Sequence, residues 1–202
     1  MQAILLAAGR GIRFGSDKLL HSLEDGTPMA LTAARNLKAA IPDVLAVVNG
    51  ENPELMALLE EMDIGVSVCP NAAQGMGASL AWGVARTWQA DGWLIALADM
   101  PWIRPETFRA VAEMVTGPSV IAAPVYRGRR GHPVAFGRDY GPALMALSGD
   151  EGARSLLASF TREVILLPCE DSGVVRDIDS PEGIPGSTPE EGGKAERLPS
   201  AV

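Results

Sequence analysis

Gln2-Ala-Ile-Leu-Leu-Ala-Ala-Gly9-Arg-Gly-Ile-Arg-Phe-Gly-Ser-Asp-Lys18 is the stretch from which the rest of the chain is read. Residues 2–7 form a short, continuous apolar run that ends at Gly9, as expected of a strand buried on both faces. Gly9, Gly11 and Gly15 then alternate with Arg10, Arg13 and Lys18. A loop directly after a buried strand lies where open α/β sheets bind their ligands. Glycine lets the backbone turn tightly and bring its N–H groups against an anion. The arginine fork and the compact lysine charge suit a triphosphate. Two common phosphate loops do not match. Phe14 occupies the third glycine position of a dinucleotide fingerprint, and Gly15 is followed by Ser-Asp-Lys rather than the Lys-Ser/Thr of a Walker A loop.

Outward from this loop, strand and helix signals alternate. Thr27-Pro28 opens a helix running to about residue 40, with Thr27 as N-cap and proline at the first helical position. Strands are expected at 43–48, 64–69, 93–98 and 119–124, and helices at 53–62, 77–89 and 105–115. Such βα repeats joined by short loops predict an α/β fold, a single doubly wound and mostly parallel Rossmann-like sheet with helices on both faces. Beyond residue 125 the rhythm changes. A strand at 131–137, a helix at 150–160 and short strands at 163–167 and 173–177 read as an extension of the same domain, with room for an antiparallel strand. One domain is expected over residues 1–180. Residues 181–202, rich in Gly, Pro, Ser and Glu without apolar periodicity, read as a disordered tail.

Composition narrows the class. Apolar residues make up 47% of 202, enough for a sizeable core. The net charge of −8 argues against nucleic acid or an anionic membrane as partner. Against that background, Arg10, Arg13 and Lys18 in one loop and Arg127, Arg129 and Arg130 in another suggest reception of a small anion. Cys69 and Cys169 form neither a metal-ligand spacing nor a disulfide framework, which fits a reducing cytoplasmic compartment. No apolar run approaches the ~20 residues of a membrane span.

Leu97-Ala-Asp99-Met-Pro101 sets a carboxylate at the end of an apolar strand. Burial there demands a partner. A hard oxygen ligand suits Mg²⁺, which takes one or two carboxylates plus substrate phosphates. The other reading is that Asp99 caps the helix beginning near Pro105. No Ser-His-Asp or Cys-His arrangement is present, so nucleophilic catalysis by a side chain is not indicated.

The pattern L-A-A-G-x-x-x-R-x-G-x-x-K after the first strand resembles the signature of NTP transferases of the MobA-like group, which includes the molybdenum cofactor cytidylyl- and guanylyltransferases. The resemblance covers roughly residues 2–182. It implies that Gly9, Arg10, Gly11 and Gly15 wrap the triphosphate, and that Leu6, Ala7 and Ala8 border the base. It also implies that Arg13 faces the leaving pyrophosphate, and that Lys18 stabilises charge around the α-phosphate. Asp99, in the group's L-x-D-M-P element, would bind Mg²⁺. Asp179, in its D-I-D-T-P-E-D-like element, is either a second metal contact or an ordinary turn residue. Gly75-Met-Gly-Ala-Ser79-Leu matches a G-M-x-x-S-L stretch that brings Ser79 to the nucleotide.

Arg130-Gly-His132-Pro-Val-Ala-Phe136 and Gly149-Asp150-Glu-Gly-Ala-Arg154 resemble elements of the cytidylyl branch that lie on its acceptor side. Arg130, His132 and Asp150 are therefore candidate acceptor contacts, with a purely structural histidine as the alternative. Ala-Ala-Gly at residues 7–9 resembles the cytidylyl enzymes, whereas guanylyl enzymes tend to show Ala-Gly-Gly, with room for a purine. The resemblance thus implies CTP and molybdenum-loaded molybdopterin as substrates. It further implies a recipient hydroxylase of the xanthine dehydrogenase type. A guanylyl- or sugar-phosphate nucleotidyltransferase, or a non-catalytic nucleotide-binding module, are the competing expectations.

Overall fold

The computed structural model of the protein describes residues 1–9, 18–150, 152–160 and 164–178. Eight strands make one mixed, mostly parallel sheet: β1 (Gln2–Ala7), β2 (Val44–Val48), β3 (Gly65–Val68), β4 (Gly92–Leu97), β5 (Ile121–Tyr126), β6 (Arg129–Arg130), β7 (Val134–Gly137) and β8 (Val164–Pro168). Their order is β3-β2-β1-β4-β7-β5-β6, with β8 also paired to β5. Strands β1 to β4 are mutually parallel, with Leu6 opposite Val47 on one side and Leu97 on the other. β7 runs antiparallel between β4 and β5, and β8 is parallel to β5.

Helices cover both faces because each strand has alternate side chains facing each layer. Ala3, Leu5 and Ala7 join a cluster with α1 (Met29–Ala40), α2 (Pro53–Glu61) and α4 (Pro105–Glu113). Ile4 and Leu6 join the opposite cluster with α3 (Met76–Arg86), α5 (Gly141–Met145) and α6 (Arg154–Ser159). Chain order leaves β1 for β2 and β3 on one side, then returns to β4 on the other. The ends of β1 and β4 thus form a topological switch point, the crevice where such sheets receive ligands.

Several local expectations are corrected. Thr27 is not the N-cap of α1. The cap is Pro28 and has no side-chain hydrogen bond. Thr27 is instead held in a turn, its N–H on the Asp25 carboxylate and its carbonyl accepting from Leu23 N–H. The strand expected at 173–177 is a 3-10 turn, Ser172–Val175, because the Asp171 side chain accepts from Gly173 N–H and closes the backbone there. The strand expected at 131–137 is broken. Gly131–Pro133 separate β6 from β7, His132–Pro133 is cis, and His132 N–H leaves the sheet for the Val174 carbonyl. The helix expected at 150–160 starts only at Arg154, since Gly149 and Gly152 both have positive φ. The boundary and tail expected from residue 180 onward lie outside the described residues.

Candidate active site

Strand β1 delivers the first contacts by simple alternation. Leu6 and Ala8 turn toward a cavity of about 410 Å³, while Ala7 between them packs into the core on the other face. Gly9 continues the same wall. Arg10, Gly11, Arg13 and Gly15 lie outside the described residues. Lys18 follows at the start of a short 3-10 turn, Lys18–Leu20, and lines the cavity.

Strand β4 ends opposite. Asp99 Oδ2 lies 2.9 Å from Lys18 Nζ, with the lysine side chain 12% and the carboxylate 27% exposed. This pair joins residues 81 positions apart at the switch point. The carboxylate therefore has a partner, and it does not cap α4. That task falls to Asp171, which accepts from Arg104 N–H at 2.9 Å and from Thr107 Oγ1 at 2.7 Å. The Asp99 carbonyl accepts from Ile178 N–H at 3.1 Å, which ties the Asp177-Ile178 segment to the end of β4. Asp179 itself lies outside the described residues.

The far wall of this cavity comes from Gly75, Met76 and Ser79 at the start of α3, preceded by Ala72 and Ala73. A second cavity of about 640 Å³ adjoins it, sharing Leu6, Met76, Leu97 and Asp150. Arg130, His132 and Arg154 line only this second space. Burial pushes the His132 pKa below the usual histidine value. The Asp99 charge and a hydrogen bond to the Ile95 backbone oppose that shift, and Arg130 adds to it. His132 Nδ1 is fully covered and has no hydrogen-bond partner among the described residues.

The structure therefore sorts the expected residues into two adjoining spaces. Leu6, Ala8, Gly9, Lys18, Ser79 and Asp99 surround the first, Arg130 and His132 the second, and Asp150 borders both. Arg154 and Met76 carried no role in the sequence reading, although both lie inside the quoted motifs. Helical period could have placed Met76 and Ser79 on one face of α3, but not opposite β4.

As for a metal, no group of three His, Cys, Asp or Glu side chains converges among the described residues. A divalent ion at Asp99 would thus have few protein ligands. Phosphate oxygens and water would supply the rest, a donor set that suits Mg²⁺. The part-exposed carboxylate at the cavity edge, held by a lysine rather than by buried donors, fits such an ion.

The chain belongs to the MobA-like NTP transferase family, whose domain model matches residues 3–164. It is 32% identical over 189 residues to the purine catabolism protein PucB of Bacillus subtilis, covering 89% of this chain and 91% of the relative. Among solved structures it is similar to Rv0371c of Mycobacterium tuberculosis H37Rv. The TM-score is 0.79 and the identity 28%, over 90% of this chain and 93% of that one. A second Rv0371c structure, a complex with manganese, gives 0.69 and 25%, over 83% and 87% of the two chains. The molybdopterin-guanine dinucleotide biosynthesis protein A of Archaeoglobus fulgidus shares the fold, with TM-score 0.64 and 16% identity over 91% and 95%. Among the described residues no helix is long and apolar enough to cross a membrane.

Proposed function

We infer that the protein transfers CMP from CTP to molybdopterin carrying molybdenum, with release of pyrophosphate. The observation that carries this reading is the Lys18–Asp99 pair at the switch point, beside two adjoining cavities that share one wall. A group-transfer enzyme needs its two substrates side by side, with charge compensation where they meet.

An oxygen of the acceptor's terminal phosphate attacks the α-phosphorus of CTP. The new P–O bond forms as the bond to pyrophosphate breaks, and the pyrophosphate leaves with the electron pair. That phosphate is already anionic, so no general base is required. Lys18 moves its charge to the α-phosphate, and the family resemblance gives Arg13 the task of neutralising the leaving group. Asp99, with Asp179, would hold Mg²⁺, which when bound supplies charge neutralisation of the phosphates. Manganese bound to Rv0371c supports a divalent ion in this fold. The relative PucB, named for purine catabolism, supports a recipient that acts on purines, in keeping with a molybdenum hydroxylase.

The test is pyrophosphate release by the full chain with Mg²⁺ and molybdenum-loaded molybdopterin, comparing CTP with GTP. Turnover is expected with CTP, and Asp99→Ala is expected to reduce it by about 100- to 1,000-fold. Turnover with GTP alone would establish the guanylyl reading. Near wild-type activity of Asp99→Ala would remove Asp99 from the metal site.

A further inference from the structure

The second cavity is a gap between layers. Its floor is the sheet face bearing Leu6, Ile95, Val134 and Phe136, and Leu80 of α3 and Leu157 of α6 close it from the helix side. A slot between an apolar sheet face and apolar helix residues suits a flat ring, which buries both faces without leaving polar groups unsatisfied. Its charged groups are Arg130, Arg154 and Asp150. Two guanidinium groups are readily understood where an anionic substrate enters. A carboxylate beside them needs another reason, because it repels that same anion.

The placement of Asp150 is built in. Gly77 N–H donates to the Gly149 carbonyl at 2.8 Å, fastening the loop before α6 to the first turn of α3. The start of α3 has no side-chain cap, and its N-terminal dipole favours a nearby negative charge. Gly75, the N-cap of α3, and Gly77 in its first turn are both required for the approach. A Cβ on Gly75, which has φ +109°, would lie 2.4 Å from Asp150 Oδ1, and one on Gly77 would lie 2.7 Å from the Ser148 carbonyl. Among the described residues no hydrogen bond or ion pair engages the Asp150 carboxylate, whereas Asp99, the other carboxylate at these cavities, is held by Lys18. With the backbone beside it fastened and its carboxylate exposed, Asp150 offers an acceptor pair at the mouth of an apolar slot, complementary to a ring edge with two parallel N–H donors.

The geometry points to Asp150 as the specificity-determining residue for the acceptor. Its carboxylate takes two hydrogen bonds from the N–H and exocyclic NH₂ of a 2-amino-4-oxopyrimidine edge. The ring lies in the slot, and its anionic arm runs toward the arginines and the first cavity. This assignment rests on the acceptor reading given above and adds to it the group that selects the ring. Asp150 borders both cavities; in the first, Asp99 already supplies a carboxylate to the cations, so the second is where Asp150 adds a contact. The edge also explains the selectivity required: a ring with a carbonyl in place of the amino group turns an acceptor toward the carboxylate and is rejected.

The experiment is fluorescence titration of the full chain, without nucleotide or metal, using 6-hydroxymethylpterin and the corresponding lumazine, in which a carbonyl replaces the amino group. Wild-type protein is expected to bind the pterin at least about tenfold more tightly, the effect of a charge-assisted hydrogen-bond pair at a formed site. Asp150→Asn, which keeps the shape of the side chain, is expected to bring the two within about twofold, and Asp150→Glu to retain part of the preference. Thermal melting of each variant confirms that it is folded. The assignment is overturned if wild-type protein binds the two rings alike, if it binds neither, or if Asp150→Asn keeps the preference. Neither CTP nor turnover enters this measurement. Absent pyrophosphate release with an intact ring preference would refute the transfer reading and leave Asp150 in place, and the converse result would do the reverse.

Discussion

Ala8 lines the cavity proposed for the nucleotide, and its methyl group is the basis for expecting a pyrimidine base. The residue is buried directly after β1, and its carbonyl accepts from Asn49 Nδ2 at 3.4 Å, so its methyl is set by the end of that strand. One methylene-sized difference in a pocket is worth roughly 10- to 200-fold in discrimination. Ala8→Gly is therefore expected to narrow the CTP-over-GTP ratio of kcat/KM by about tenfold, mostly through gain of GTP. Competition kinetics with both nucleotides measures this, and an unchanged ratio would place the base elsewhere. The signal for Ala8, as for Lys18 and Asp99, is local in sequence. Lys18 is a cation closing the glycine loop after β1 and Asp99 a carboxylate just past the apolar run of β4, while Ala8 is marked by the Ala-Ala-Gly resemblance. Arg154 carries no such signal, because an arginine early in a helix is ordinary until α6 is seen to line the second cavity.

At the scale of elements, the parallel half of the fold was legible and the rest only in part: β5, β8 and antiparallel β7 fall within or beside expected strands, whereas the break before β7 and α5 were not read. β1, β2, β4 and their helices announce themselves through apolar runs and Pro starts, and observed bounds differ from expected ones by a residue or a few. α5 was missed because Gly141-Pro142 reads as a breaker, although proline at the first helical turn starts a short helix there. The 3-10 turn at Ser172–Val175 was misread because its cause is a side chain, not a period. Asp171 is that side chain, and it holds three donors: the N–H of Arg104, the N-cap of α4, Thr107 Oγ1 within α4, and Gly173 N–H. It is buried, with 4% of its surface exposed. Asp171→Ala would leave all three donors without their acceptor, at a cost of about 2–4 kcal/mol. Urea denaturation is expected to show this as a lower midpoint with an unchanged m-value. A change under ~0.5 kcal/mol, the level of an ordinary surface substitution, would mean that water replaces the carboxylate.

Over the whole molecule, the fold resolves an apparent conflict of charge. A chain of net charge −8 is proposed to bind a triphosphate, and long-range attraction is not available for that. What would serve instead is local: Lys18 at the carboxyl ends of β1 and β4, with the proposed glycine loop and divalent ion. Because that crevice is bounded by β1, α3 and β4 together, a nucleotide in it ties the α3 layer to the centre of the sheet. Binding energy then appears as global stability, since the unfolded chain has no such crevice. At a hundred times its Kd, Mg²⁺·CTP is expected to add about 2.7 kcal/mol. For a domain of this size that corresponds to a rise in Tm of about 5–10 °C. EDTA is expected to remove most of the rise, because CTP alone would bring four negative charges beside Asp99. Asp99→Asn is expected to give a smaller rise that no longer depends on the metal. Differential scanning fluorimetry with CTP alone, Mg²⁺ alone and both separates these contributions. Equal shifts with and without the divalent ion would show that Lys18 and the loop cations neutralise the triphosphate unaided, and that Asp99 serves to hold Lys18.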